Sequence, residues 1–393
     1  MKTKSLYILF FLYVLISLVA AAQGLFAPVK VFTAGAPAYK DYNNYIIFKY
    51  SFFHLIHGQD IYQYFPADHW DLFKYSPAFA LGFAPMSVLP DALGLPLWML
   101  INSLVLFAGV ALLPRLSNIQ KSWLLLFCLP ELLTSLQNDQ SNGLMAGLII
   151  LGFALAERSK FFWSALCIVA SIYIKLFGGL ALIFYLFYPG KVRNGAYVLF
   201  WMVVLTFIPL IVVSWHQLSF LYQSWYHLVL QDRAASVGIS VVGLLETWGG
   251  LHPSANVVAL IGLLLFCLPL INIRKYADPV FRLLMLASVL IWIVIFNHKA
   301  ESPTFIIAMA GIGIWYFSRK PSKFDTVLLV SALLATSLSV SDLVPAEVRR
   351  DFVVRYDLKA VMPVLIWVRI LWLALTLKPI AHSDSPTSSP IPS

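Results

Sequence analysis

The sequence is short of charge. Charged residues make up 11% of the 393 positions, whereas hydrophobic residues make up 60% and the mean hydropathy is +0.83. A water-soluble domain is about a quarter charged, so most of this chain cannot face water. The sequence also lacks any long polar stretch that would fold by itself, which excludes a separate soluble catalytic domain.

Cysteine is scarce as well. Cys128, Cys167 and Cys267 all lie within apolar stretches, and their spacing is typical of neither disulfides nor metal sites. They predict small buried side chains and do not indicate the redox compartment.

Acidic residues are outnumbered by basic ones, and the formal net charge is +9. The basic residues occur in short clusters between apolar runs, as the positive-inside rule predicts for cytoplasmic loops. We therefore interpret the basic residues as markers of the cytoplasmic loops and expect no nucleic-acid partner. The clusters are Lys2/Lys4, Arg115/Lys121, Arg158/Lys160, Lys191/Arg193, Arg274/Lys275/Arg282, Arg319/Lys320/Lys323 and Lys378.

Apolar runs fill most of the remaining chain, and a bilayer core of about 30 Å requires about 20 apolar residues per helical span. The predicted apolar segments are 6–22, 93–113, 123–136, 144–156, 161–188, 197–213, 257–271, 283–296, 305–317, 327–340 and 361–377. The pattern predicts an all-α, polytopic transmembrane bundle formed by residues 1–378 in one domain. We expect a long first outer loop, about residues 23–92, to carry interfacial helices. The Ser- and Pro-rich tail, 379–393, is expected to be disordered.

Some segments allow more than one interpretation. The run 6–22 resembles a cleaved signal peptide, although we favour a retained first helix. An even number of crossings must separate successive basic clusters, so 77–89 is predicted to be re-entrant or interfacial. The run 161–188 has basic flanks and Lys175 in its middle, which predicts two short helices with Lys175 at an outer turn. The aromatic-rich segment 215–233 predicts an interfacial helix.

Ionisable residues in or beside membrane spans are costly and often functional. On this topology they gather at the outer surface: Asp41, Glu131, Gln140, Asn142, Lys175, Arg233, His298, Lys299 and Glu301. Structural interpretations stay open: Asp41 as a helix cap, Lys175 as a snorkelling side chain, and the others as turn or loop residues. Arg369 is interpreted as a structural partner or a lipid-phosphate contact. His54, His57 and Asp60 share a helical face and offer an alternative metal site, but no further ligand is evident.

The first 115 residues resemble glycosyltransferase family 87, of the multi-spanning GT-C superfamily. The elements that carry the resemblance are Asp41 with its Tyr and Asn neighbours, Gly58-Gln59-Asp60-Ile61-Tyr62, Phe73-Lys74-Tyr75-Ser76-Pro77-Ala78-Phe79, Pro85, Leu89-Pro90, Leu97-Trp98 and Asn102. Further along, Gln140-Ser141-Asn142 is similar to the family's Gly-Gln-x-Asn turn, with Asp139 in place of the Gly. Ile174-Lys175 is similar to its Ile-Lys-Pro segment, with Leu176 in place of the Pro. Asn297-His298 lies where related enzymes carry a polar outer loop.

The resemblance implies a multi-pass transferase of the cell (inner) membrane whose active site faces the non-cytoplasmic side. It would move a hexose, such as mannose, from a polyprenyl-phosphate donor to a glycolipid or glycan acceptor with inversion. Asp41 would be the general base. Lys175, His298, Lys299 and Arg233 would neutralise the donor phosphate. Asn44, Tyr75, Gln140, Asn142 and Glu131 are candidates for substrate binding, and no metal or other cofactor is expected.

Two other functions compete with transfer. A transporter or flippase of lipid-linked sugars also contains broken helices and intramembrane charges. Such a protein would place its ionisable groups near the membrane midplane, whereas here they are predicted at one surface. A non-catalytic assembly factor would explain the apolar spans but not the clustered Asp, Lys and His residues.

Overall fold

The computed structural model describes residues 4–32, 37–231, 237–341 and 343–378. The predicted disordered tail lies outside them. The α-helices are Lys4–Phe26 (α1), Asn43–Ile56 (α2), Pro77–Gly82 (α3), Ala84–Ser87 (α4), Asp91–Ala111 (α5), Asn118–Gln137 (α6), Asn142–Ala156 (α7), Phe161–Ile174 (α8), Lys191–Phe207 (α9), Trp215–Gln231 (α10), Val241–Gly249 (α11), Ala255–Cys267 (α12), Pro279–Ile295 (α13), Phe305–Phe317 (α14), Lys323–Ala332 (α15), Ala346–Val348 (α16) and Leu358–Thr376 (α17). A 3₁₀ helix, Leu176–Phe187, follows α8.

In the part of the chain that the structure describes, four helical segments are long and apolar enough to cross a membrane: Lys4–Phe26, Asp91–Ala111, Lys191–Ile211 and Leu358–Thr376. Shorter apolar helices accompany them, among them α7, α8, α13 and α14. Within the described ranges, paired extended backbone is limited to a single bridge between Lys30 and Tyr39. The predicted all-α bundle is therefore confirmed, and the chain is a membrane protein.

Helix ends follow local sequence chemistry. The α6 helix begins after Ser117, whose hydroxyl accepts from the Gln120 backbone N–H while the Gln120 side chain accepts from the Ser117 N–H. The α3 helix begins after Ser76 with Pro77 in its first turn, where a missing N–H costs nothing. The segment 77–89 thus contains two short helices, α3 and α4, instead of one crossing.

The helix break at Lys175 is a backbone feature. Lys175 has φ −140° and ψ 125°, which is extended backbone, between the end of α8 and the start of the 3₁₀ helix. The chain therefore interrupts its helix at the cation that the sequence places in the middle of an apolar run. Such a break at membrane depth is tolerated where other protein groups satisfy the freed backbone.

The centre of the bundle is formed by α13 and α14, most of whose residues are buried. Beside them, α5 and α7 pack closely because glycines occupy the contact. A methyl group on Gly147 would lie 2.5 Å from the backbone of Val105 and Leu106, and one on Gly109 would lie 2.9 Å from the Gly147 carbonyl oxygen. Small residues allow this approach of two helix backbones in a membrane. The contact fixes the start of α7, where the candidate site lies.

Members of the predicted cytoplasmic basic clusters lie at one end of the bundle, which we call the basic end. Lys121 Nζ donates to Ala111 O at 2.7 Å, at the C-terminus of α5. Lys275 Nζ donates to Leu375 O at 2.7 Å, near the C-terminus of α17. Because C-terminal carbonyls of a helix carry partial negative charge, these amines stabilise the helix ends.

Polar side chains meet at the opposite end, which we call the site end. There Gln137 Nε2, at the C-terminus of α6, donates to Gln23 Oε1 of α1 at 3.0 Å. The turn from α6 to α7, residues 138–142, also lies at this end. We call it the α6–α7 turn.

Candidate active site

The α6–α7 turn is held rigidly against α5. Trp98 Nε1 donates to the Asp139 carbonyl at 2.8 Å, and the Leu144 backbone N–H donates to Asn102 Oδ1 at 3.0 Å. Asp139 has φ +53°, a conformation that Asp and Asn adopt more readily than most residues. These bonds from buried α5 side chains give the turn one fixed geometry.

Asp41 approaches the turn from one side. Its Oδ1 forms an ion pair with Lys30 Nζ, and its side chain is 18% exposed. Three residues later, Asn44 Nδ2 donates to Asn138 O at 2.9 Å, which fixes the start of α2 on the turn. Burial raises the pKa of Asp139, and the nearby Asp41 carboxylate raises it further, whereas Lys30 lowers it. Asp41 thus lies beside the turn, with a neighbouring cation and a second carboxyl group.

Lys175 approaches the same turn from another side. Lys175 Nζ donates to Asn142 Oδ1 at 2.7 Å, and Asn142 Nδ2 donates to Gln140 Oε1 at 2.7 Å. Gln140 Nε2 in turn donates to Glu301 Oε2 at 2.5 Å. This chain of hydrogen bonds links three separate segments of the fold. Its fixed amides orient the ammonium group of Lys175.

Tyr75 completes the set of contacts with the turn. Its hydroxyl accepts from Ser141 Oγ at 3.2 Å. The next residue, Ser76, donates from its hydroxyl to Tyr173 O at 2.6 Å, so α3 is bound to the end of α8 just before Lys175. Asp41, Asn44, Tyr75 and Lys175 therefore all lie beside the turn, so that a carboxylate and an ammonium group from separate segments flank it.

Comparison with known families identifies the chain. The model of glycosyltransferase family 87 matches residues 73–341, more than half of the sequence. The chain belongs to glycosyltransferase family 87. No curated protein matches it.

The matched region of this family 87 transferase includes Tyr75, the α6–α7 turn, Lys175 and Glu301, but it begins after Asp41. The predicted role of Asp41 therefore depends on its position beside the turn rather than on the match. Family membership confirms the resemblance and shows a membrane glycosyltransferase of GT-C type.

The loop between α13 and α14 carries two further predicted residues, His298 and Lys299, next to the candidate site. The His298 carbonyl accepts from the Gly238 N–H at 2.6 Å, and the Ala300 carbonyl accepts from the Ile239 N–H at 2.8 Å. His298 and Lys299 thus lie in a braced loop that ends at Glu301, the partner of Gln140. Their contact with a donor phosphate stays a prediction. Arg233 lies outside the described residues, and its role stays a prediction as well.

Glu131 occupies a different environment from the other predicted residues. It is 0% exposed, and both of its carboxylate oxygens accept from Lys359 Nζ, at 2.9 and 3.0 Å. Lys359 also donates to Ser302 Oγ at 2.8 Å. The pair joins α6 to α17 beneath the loop that carries Glu301. Substrate binding by Glu131 stays a prediction, and the structure gives the side chain a structural partner in Lys359.

Replacing Glu131 with Gln should therefore affect stability first. The variant leaves the Lys359 charge buried without a counter-ion, which typically costs about 3–5 kcal/mol. We expect a clear fall in the unfolding midpoint of the purified protein in detergent. The double variant Glu131→Gln/Lys359→Met removes the stranded charge and should recover much of the loss. Unchanged stability together with a raised KM for either substrate would instead support a substrate-binding role.

The alternative metal site does not form, because the side chains of His54 and Asp60 have different partners. His54 Nε2 lies 3.1 Å from Asp68 Oδ2, whereas Asp60 Oδ2 accepts from Ser224 Oγ at 2.8 Å. Over the described part of the chain, His, Cys, Asp and Glu do not form any group of three suited to a metal ion.

Arg369 has a structural partner. Its Nε lies 3.0 Å from Asp325 Oδ1, and Arg319 Nη2 lies 3.0 Å from Asp325 Oδ2. Of the two interpretations that the sequence allowed, structural pairing is the one that the contacts support.

Three residues that contact the candidate site were not predicted as site residues from the sequence: Lys30, Asp139 and Glu301. Lys30 is a single basic residue outside the clusters, and only the Lys30–Tyr39 bridge places it on Asp41. Asp139 was noted only as a replacement for Gly within the turn. Glu301 was noted in its loop, but the bond to Gln140 crosses 161 positions of sequence. The adjacent motif Gln140-Ser141-Asn142 was a sequence signal that could have indicated Asp139. No sequence motif includes Lys30, so no comparable signal indicated it.

Proposed function

We propose that this transferase moves a hexose, of mannose type, from a polyprenyl-phosphate donor to a glycolipid or glycan acceptor. The observation that supports it best is the α6–α7 turn, which brings a carboxylate and an ammonium group from distant segments to one place. Such a pair suits transfer from a sugar-phosphate donor to a hydroxyl acceptor, because the carboxylate can accept the hydroxyl proton and the ammonium group can neutralise the leaving phosphate.

Asp41 is the proposed general base. It takes the proton of the acceptor hydroxyl while the acceptor oxygen forms a bond to the anomeric carbon. The bond between that carbon and the phosphate oxygen breaks on the opposite face, so the anomeric configuration inverts. The bond electrons leave with the polyprenyl phosphate. Lys30 forms an ion pair with Asp41 and is proposed to hold the carboxylate in place beside the turn.

Lys175 is the proposed phosphate partner. Its Nζ is oriented by Asn142, which leaves the other N–H donors of the ammonium for phosphate oxygens. Negative charge grows on the leaving phosphate in the transition state, so a fixed cation there lowers the barrier more than it strengthens ground-state binding. His298 and Lys299 are proposed to add charge from the neighbouring loop, and Tyr75 and Asn44 to contact the sugar or the acceptor.

The two ends of the bundle support the proposed donor and orientation. A lipid-linked donor enters from the bilayer, and the site lies at one end of apolar helices. The positive-inside rule assigns the basic end to the cytoplasm. The site end would then face the non-cytoplasmic side of the cell (inner) membrane.

Mass spectrometry of envelope glycans and glycolipids from a deletion strain tests this function. We expect one hexose-containing species to disappear and its acceptor, one hexose smaller, to accumulate. The wild-type sequence should restore the species, and the Asp41→Asn sequence should not. An unchanged glycan and glycolipid profile, or full restoration by Asp41→Asn, would contradict the proposal.

A further inference from the structure

A cavity with polar and aromatic walls lies at the basic end, far along the bundle from the α6–α7 turn. It has a volume of about 320 Å³, and its wall includes Ser159, Lys160, Phe162, Trp163, Arg193 and Tyr197. The first turns of α8 and α9 form two of its sides. The catalytic chemistry proposed above uses none of these residues.

The cavity carries uncompensated positive charge. Lys160 and Arg193 are both exposed, and none of the lining residues is acidic. The nearest carboxylate in the sequence, Glu157, is already bound by Arg282 at 2.5 Å and by the Tyr188 hydroxyl at 2.6 Å. Within the described ranges, neither Lys160 nor Arg193 forms an ion pair. Two adjacent cations without a counter-ion favour an anionic ligand.

Backbone dipoles add to this charge. The α8 helix begins after Lys160 and the α9 helix after Gly190, and neither has a side-chain cap. The first N–H groups of each helix therefore keep their donors for another partner. Because the N-terminus of a helix carries partial positive charge, both helices reinforce the preference of Lys160 and Arg193 for an anion.

Aromatic side chains place the cavity at the membrane interface. Trp163 is 54% exposed, and the rings of Phe162 and Tyr197 lie 5.5 Å apart. Trp and Tyr are enriched where a membrane protein meets the lipid headgroups. The span that contains α9 is largely unburied by the rest of the protein, so its surface is available to lipid chains. The cavity thus offers cations for a headgroup beside an apolar surface for acyl chains.

We propose that this cavity binds the phosphate headgroup of an anionic phospholipid in the leaflet at the basic end. Basic pockets between membrane helices are suited to such headgroups. Lys160 and Arg193 bind the phosphate oxygens, and Trp163 and Tyr197 lie along the glycerol and upper acyl region. The site lies at the end of the bundle opposite the proposed donor site, and lipid binding there does not require transfer activity.

Native mass spectrometry of the full-length protein, with phosphatidylglycerol titrated into phosphatidylcholine nanodiscs, tests this site. Lys160 and Arg193 contact the phosphate directly, and a hydrogen bond to a charged group is worth about tenfold in affinity or more, so Lys160→Ala/Arg193→Ala should weaken phosphatidylglycerol binding by about 100-fold. Arg274→Ala/Lys323→Ala is the matched control, because it removes the same charge from exposed positions outside the cavity. Its affinity should stay within about twofold of the wild type.

The result that overturns the proposal is equal loss in the two double variants, or no loss in either. Competition with inorganic phosphate is a second test of the same site. If free phosphate at a few millimolar displaces the bound phosphatidylglycerol, the cavity is a soluble-anion site and the lipid assignment is wrong. The pair Lys160→Gln/Arg193→Gln, which keeps polar side chains at both exposed positions, should reproduce the weakened binding if the Ala variant is poorly folded.

Discussion

Replacing Asp41 with Asn should lower the rate of sugar transfer by about 10²–10⁴-fold, the usual contribution of a general base. The amide has the same size as the carboxylate but cannot accept the hydroxyl proton. The protein should still fold, because Asp41 is at the surface of the site rather than in the core, with an 18% exposed side chain. Initial rates with purified protein and a polyprenyl-phosphate hexose would measure the effect.

Asp71→Asn is the matched control for this variant. It removes one negative charge from the same segment between α1 and α5, at a side chain that is 53% exposed. Asp71 has φ +74°, which Asn tolerates, so the backbone should not change. We expect near-normal transfer by Asp71→Asn and normal donor binding by both variants. Near-normal turnover by Asp41→Asn would remove Asp41 from the role of base.

Replacing Lys175 with Ala should have the second-largest effect. Loss of one fixed group that stabilises developing negative charge typically costs about 10²–10³ in kcat. The ammonium hydrogen-bonds Asn142 at 2.7 Å and belongs to the same network as Gln140 and Glu301, so its position is fixed before substrate arrives. Lys323→Ala, at the basic end, is the charge control and should leave kcat unchanged.

Chelation distinguishes this cation from a metal ion. A metal would serve chiefly to neutralise the leaving phosphate, and a monophosphate needs less neutralisation than a pyrophosphate. We expect EDTA to leave the wild-type rate unchanged, so that Lys175→Ala slows the reaction more than chelation does. If EDTA stops turnover and Mg²⁺ or Mn²⁺ restores it, the cation mechanism is wrong. His54 and its neighbour Asp68 would then be the first residues to examine as ligands.

The helix break at Lys175 could be predicted from the sequence, whereas the contact that Lys175 makes could not. A lone cation inside an apolar run with basic flanks predicted two short helices. In the structure, α8 ends just before Lys175 and a 3₁₀ helix begins just after it. The cost of a charge in hydrocarbon is local and large, so it can be read from the sequence. The bond from Lys175 to Asn142 could not be read there, because it depends on how α7 and α8 pack.

Glu131 illustrates the opposite case. Its position near the end of α6 predicted a place at the outer surface, and hence a contact with substrate. The structure buries it against Lys359, 228 positions away in the sequence. A sequence gives the cost of burying a carboxylate but not the identity of the cation that offsets it. Lys30 is similar, since its contact with Asp41 follows from the pairing of Lys30 with Tyr39.

The sequence by itself determined the membrane location, the all-α class and most helix positions, because hydrophobicity and helix caps act over a few neighbouring residues. It also predicted that the candidate polar residues lie at the end of the bundle opposite the basic clusters. Only the tertiary structure decided which of them meet. Asp41, Asn44, Tyr75 and Lys175 converge because the close packing of α5 on α7 at Gly147 fixes the α6–α7 turn, and each then finds a hydrogen bond or a charge there. Such contacts depend on distances between separate helices, and no local pattern in the sequence records those distances.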